Sequence, residues 1–116
     1  MVIRESQMEV MSDSMMRGFE QRMLANLRSR FTSKLAKTSD ADIVKLIRKG
    51  VDDSRVYGVV AESDVRRYLE YMVEYSPDFD RNPNTPWAQR ILTTPGALGW
   101  KKMNDLDAFT TFELRQ

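Results

Sequence analysis

The chain contains no histidine and no cysteine. That removes the side chain that shuttles protons near neutral pH, the thiol nucleophile, and the two commonest ligands of transition metals. Carboxylates, hydroxyls and amines remain, but nothing arranges them into a recognisable catalytic constellation, and a non-enzymatic protein with no cofactor and no metal is expected. Long apolar runs are also missing; none approaches the ~18 residues of a membrane span. Met1-Val2-Ile3-Arg4-Glu5 turns charged at once and lacks the apolar core of a signal peptide, so a cytoplasmic protein with no membrane contact is expected. The absence of cysteine agrees with a reducing compartment, as it would with a periplasm.

What is present is ordinary in bulk. The 116 residues are 41% hydrophobic and 30% charged, which fits one globular domain spanning 1–116 with a core that needs neither metals nor disulfides. Methionine is the exception. There are eight, and Met8, Met11, Met15 and Met16 crowd into one early stretch. Net charge is only +1 but it is polarised. Arg22 to Lys49 is predominantly basic, whereas acids dominate from Asp52 to Asp80. Such a dipolar pattern is satisfied internally or orients a partner.

Met8, Met11, Met15, Phe19, Met23, Leu27 and Phe31 recur every three or four residues, predicting a first helix from about Arg4 to Phe31. At 1.5 Å per residue it is about 40 Å long. Each step of four rotates the stripe by about 40°, so it winds around the helix, with Gly18 as a weak point. Ser39 caps a second helix that runs to about Tyr57 and turns Ile43, Leu46, Ile47, Val51 and Val56 inward; Gly58 ends it. A third helix starts near Glu62, buries Val65, Tyr68, Leu69, Met72 and Val73, and stops at Ser76-Pro77. Thr85-Pro86 opens a short fourth helix through Leu92, with Thr85 as its cap. Trp100, Met103 and Leu106 recur at helical spacing, followed by an irregular tail from about 107 to 116. The fold expected is an all-α single-domain bundle of four or five helices with a long first helix and short connections.

Asp78, Asp80, Asn82 and Asn84 mimic the opening of a calcium loop, but Pro83, Pro86 and Gln89 occupy positions that require glycine, a ligand and a bidentate glutamate. A turn held by its own short polar side chains is the better reading, with Phe79 as its inward anchor. The carboxylate pairs Asp52/Asp53, Glu62/Asp64, Glu70/Glu74 and Asp78/Asp80 fall at helix starts, on polar faces or in a loop, where solvent and not chemistry accounts for them. The basic stretch has no interleaved aromatics, so nucleic acid is a weak third option.

The methionines either fill a core or offer a forgiving contact surface. Met16 departs from the Met8–Met11–Met15 stripe by about a quarter turn, so one small core does not easily absorb all four. Tyr71 and Tyr75, four residues apart, and Trp87 are aromatic interface candidates. The partner-binding set is therefore Met8, Met11, Met15, Met16, Tyr71, Tyr75 and Trp87, with a protein as partner and a homo-oligomer as one way of covering the surface.

Tyr57-Gly58-Val59, Glu62, Asp64-Val65, Arg67-Tyr68-Leu69, Met72, Asp78-Phe79-Asp80, Pro86-Trp87-Ala88 and Ile91-Leu92, together with Ile3-Arg4-Glu5 and Gln7-Met8, form a pattern. It resembles the small helical accessory proteins encoded in type VI secretion effector clusters of Gram-negative bacteria. Ala61 departs from it, standing where serine or threonine would cap the third helix, and the stretch from Gly99 to Gln116 falls outside it. The resemblance implies a co-chaperone that binds an adaptor chaperone or an effector toxin. An immunity protein, masking a toxin's basic site with the acidic stretch Asp52 to Asp80, is the alternative.

Overall fold

The computed structural model describes residues 13–114. Among them the fold is all-α, with helices α1 (Asp13–Arg30), α2 (Asp40–Val56), α3 (Glu62–Glu74), α4 (Pro86–Leu92) and α5 (Gly99–Phe112). The expected extension of the first helix back to Arg4 lies outside the described residues. None of the described helices is long and apolar enough to cross a membrane. The chain divides into two compact units at the Lys49–Gly50 bond, which falls within α2.

In the first unit, Phe19, Met23 and Leu27 make the buried stripe of α1, and Phe31, Leu35, Ile43 and Ile47 are buried with them. Arg28 closes the link between the helices. Its guanidinium donates to the carbonyls of Leu35 (2.6 Å) and Thr38 (2.7 Å) and to Asp40 Oδ1. The Leu35 carbonyl accepts from the Thr38 amide as well (3.0 Å), and the guanidinium adds a second donor to it and one to the Thr38 carbonyl. Twenty-eight residues apart, Arg48 Nε donates to Glu20 Oε2 (2.6 Å). Pairing 28 with 40 and 20 with 48 means that α1 and the start of α2 run antiparallel. Ser39 caps α2 as its sequence predicts, its Oγ accepting from the Asp42 amide (3.1 Å).

In the second unit the core comprises Val51, Val59, Val65, Tyr68, Leu69, Met72, Phe79, Ala88, Leu92, Met103 and Leu106. Gly58 ends α2 with φ +78°, the left-handed conformation expected of it. Its carbonyl oxygen and the Val59 Cα lie against Gly99, where a Cβ would overlap both. The first residue of α5 is therefore pressed onto backbone, which only glycine permits. Lys102, one turn along, is buried and donates from Nζ to the Tyr57 carbonyl (2.9 Å).

Several expectations give way. Val56 points outward and is 79% exposed. Ser54, two residues earlier, is fully buried with its hydroxyl on the Val51 carbonyl, and two residues rotate a helix by about 200°. The same geometry turns Trp100 outward, since Lys102 two residues later points in. Thr85 does not cap α4 with its side chain; its hydroxyl donates instead to the Phe79 carbonyl (2.7 Å) and anchors the preceding loop. Of the tail expected to be irregular, residues 107–112 are helical, since α5 continues to Phe112; 115–116 lie outside the described residues. Asp64 and Asp80 are buried, not solvated.

Gly99→Ala should lower stability by the ~1–3 kcal/mol typical of overpacking, because the obstacle is backbone. Denaturant unfolding followed by circular dichroism measures it; an unchanged midpoint would contradict the close approach.

Candidate functional site

Met8 and Met11 lie outside the described residues. Met15 is 57% exposed on α1, and Met16 beside it is half-buried. Phe19, Met23 and Leu27 carry the buried side of that helix, and Met15 lies about 90° from its centre. Met15 is therefore a large apolar group offered to solvent at the flank of the helix.

Tyr71, Tyr75 and Trp87 do come together. The Tyr71 and Tyr75 rings stack at 5.9 Å and 13°, and Trp87 meets Tyr75 edge-on at 5.2 Å. Phe79 stacks on Tyr71 (5.6 Å) and Phe109 on Trp87 (5.4 Å). But this cluster is mostly interior. Tyr71 and Trp87 are buried, and of the three only Tyr75, 39% exposed, opens to solvent. The i, i+4 spacing of Tyr71 and Tyr75 fixes their stacking, whereas the burial of Tyr71 depends on α5, whose contribution the local pattern of α3 does not contain.

That contribution is a polar seam. Asp64, Arg67 and Tyr71, spaced three and four apart, place their polar atoms on one edge of α3; Asn104, Asp107 and Thr110, spaced three apart, answer from α5. Arg67 donates to Asp64 Oδ1 (2.7 Å), Asp107 Oδ2 (2.8 Å) and Asn104 Oδ1 (2.9 Å). The Tyr71 hydroxyl donates to Asp107 Oδ1 (2.7 Å) and lies 3.1 Å from the Thr110 hydroxyl. Residue 67 pairs with 104 and 71 with 110, so α3 and α5 run parallel. Burial disfavours the Arg67 charge, but the bonds to Asp64 and Asp107 outweigh it and raise its pKa. Burial, together with Asp107, also raises that of Tyr71. These carboxylates are committed to a guanidinium and a phenol, the chemistry of a fixed strut and not of a proton-transfer pair.

The loop between α3 and α4 is built in the same way. Ser76 Oγ donates to Asp78 Oδ1 (2.8 Å), Asn82 Nδ2 to the same oxygen (3.1 Å), and the Asn84 amide to Asn82 Oδ1 (2.8 Å). The calcium-like alternation thus closes on itself. Phe79 is fully buried, the anchor its position suggests, and Asp80 Oδ2 accepts from the Tyr57 hydroxyl (2.7 Å). No group of three or more acids among the described residues is placed to hold a metal ion.

The apolar residues left outside include Leu98, Trp100 (52% exposed) and Phe112. Trp100 and Val56 were hidden from a reading of spacing alone because Lys102 and Ser54, both polar, occupy the inward positions. Comparisons with protein-family models, with curated proteins and with solved structures return no match.

Arg67→Met should destabilise the protein by about 3 kcal/mol, because it takes the guanidinium from buried Asp64 and leaves partly buried Asp107 with the Tyr71 hydroxyl alone as a side-chain donor. Tyr71→Phe should cost about 1 kcal/mol, the net worth of one hydrogen bond. Equilibrium unfolding at neutral pH compares them; a neutral Arg67→Met would contradict the seam.

Alkaline pH is a second probe. Burial and the Asp80 carboxylate push the Tyr57 hydroxyl up from 10.0 to about 12. The unfolded chain then releases this proton first, so stability is full below pH 10 and declines as pH rises from about 10 to about 12. Unfolding midpoints across that range should fall and phenolate absorbance should appear late, with Tyr57→Phe flattening part of the decline. A phenolate titration completed near pH 10 in the folded protein would contradict the bond to Asp80.

Proposed function

We propose that the protein is a non-enzymatic binding factor of the bacterial cytoplasm, a co-chaperone-like accessory that engages an adaptor chaperone or an effector toxin of a type VI secretion system. The observation that carries this reading is Met15, a large flexible apolar side chain left 57% exposed at the flank of the buried stripe of α1. Exposed methionine suits a surface that must adapt to another chain. In the second unit, taken by itself, Tyr75 at the open edge of its aromatic cluster is of a residue type that anchors interfaces. The carboxylates of the polar seam and of the α3–α4 loop are occupied in holding the fold, which leaves apolar contact as the activity best supported.

The immunity reading draws on the acids from Asp52 to Asp80. Two of them, Asp64 and Asp80, are enclosed, which weakens the field such a mask would present.

Affinity capture from cells expressing the neighbouring genes should recover an adaptor or effector. Met15→Glu should reduce that capture at least tenfold, ~1.4 kcal/mol, with the helical circular dichroism unchanged. Capture that is indifferent to Met15 would contradict the proposed contact, and rescue of toxin-expressing cells without any adaptor contact would favour immunity.

A further inference from the structure

Among the described residues three buried side-chain atoms have no hydrogen-bond partner in the protein: Asp80 Oδ1, the Tyr68 hydroxyl and Arg55 Nε. The last belongs to a guanidinium that is partly exposed and reaches Asp52 at 4.0 Å. The other two differ, because both residues are fully enclosed.

They also share a neighbourhood. The Tyr68 ring lies 5.0 Å from that of Phe79, the residue before Asp80, and 6.4 Å from that of Tyr57. The Tyr57 hydroxyl in turn donates to the other Asp80 oxygen. Asp80 thus has one oxygen satisfied by Tyr57, with Arg81 reaching the same oxygen at 3.4 Å from the solvent side, and one oxygen turned to no donor. Tyr68 is a protonated phenol with no acceptor; burial and then the Asp80 carboxylate raise its pKa, so it remains a donor at any physiological pH.

A buried carboxylate oxygen without a donor and a buried hydroxyl without an acceptor each forfeit a large solvation free energy. One small neutral molecule satisfies both, accepting from the phenol and donating to the carboxylate. We infer that an internal water bridges the Tyr68 hydroxyl to Asp80 Oδ1, so that Tyr57, Asp80, the water and Tyr68 form one chain pinning the α3–α4 loop to α3 and to the end of α2. A calcium ion fits poorly, since it needs six to eight oxygens and the acids required are not grouped here.

Two measurements on the full chain test this. Tyr68→Phe removes one end of the bridge and should lower the folding equilibrium constant about three- to tenfold. In that background Asp80→Asn should cost less than it does in the unaltered protein, a coupling that marks a shared bridge. If the hydroxyl has no partner, Tyr68→Phe is neutral or stabilising, and the inference fails. A crystal structure of the unaltered chain that resolves ordered waters reads the site directly. Density for a water within hydrogen-bond reach of both atoms supports the bridge. A direct Tyr68–Asp80 bond, or a metal ion with a shell of oxygens, overturns it.

Discussion

One guanidinium sets the geometry of the second unit. Arg67 reaches two carboxylates and an amide, and through Asp107 it is coupled to the Tyr71 phenol. Apolar burial supplies the drive for α3 and α5 to associate, but it is indifferent to small sliding of one helix along the other. Hydrogen bonds of fixed length are not. Shifting α5 by one residue moves Asp107 by 1.5 Å along its axis, which would strand a partly buried charge. The polar seam therefore specifies register, the use of buried ionic groups that is best attested.

The remaining closures follow from that register. With α5 fixed beside α3, its first residue meets the end of α2, where Gly58 and Gly99 allow backbone to touch backbone. Lys102 then supplies the donor that the Tyr57 carbonyl needs. In the first unit Arg28 does the corresponding work, satisfying two carbonyls of an irregular link and binding the start of α2. Polar side chains are thus spent inside, and apolar ones such as Met15, Val56, Leu98 and Trp100 are left outside. The core itself remains apolar, and the polar groups close its margins.

Much of the secondary structure is legible in the sequence, because it is written locally. Ser39 starts α2, Gly58 stops it, Pro86 opens α4 and Phe79 anchors its loop, each through chemistry confined to a few residues. The misplaced features depend on distant partners. Thr85 looks like a cap until the Phe79 carbonyl claims its hydroxyl. Trp100 looks like core until Lys102 takes the inward side of α5. Tyr71 reads as an interface candidate because Asp107 and Thr110, which enclose its hydroxyl, lie 36 and 39 residues away. Of the candidate contact residues Met15, read as part of the apolar stripe, lies exposed at the N-terminal end of α1, while Tyr71 and Trp87 belong to an interior that only the tertiary fold reveals.

Polar groups hold the helices in register, and in the function proposed above exposed Met15 engages another protein. Amide hydrogen exchange along the whole chain, alone and with the captured adaptor or effector, tests this most directly. The account predicts that the partner slows exchange in α1 around Met15, while the amides of the Arg67–Asp107 seam exchange equally slowly in both states. Slowing confined to the acidic α3–α4 loop, with α1 unchanged, would contradict it.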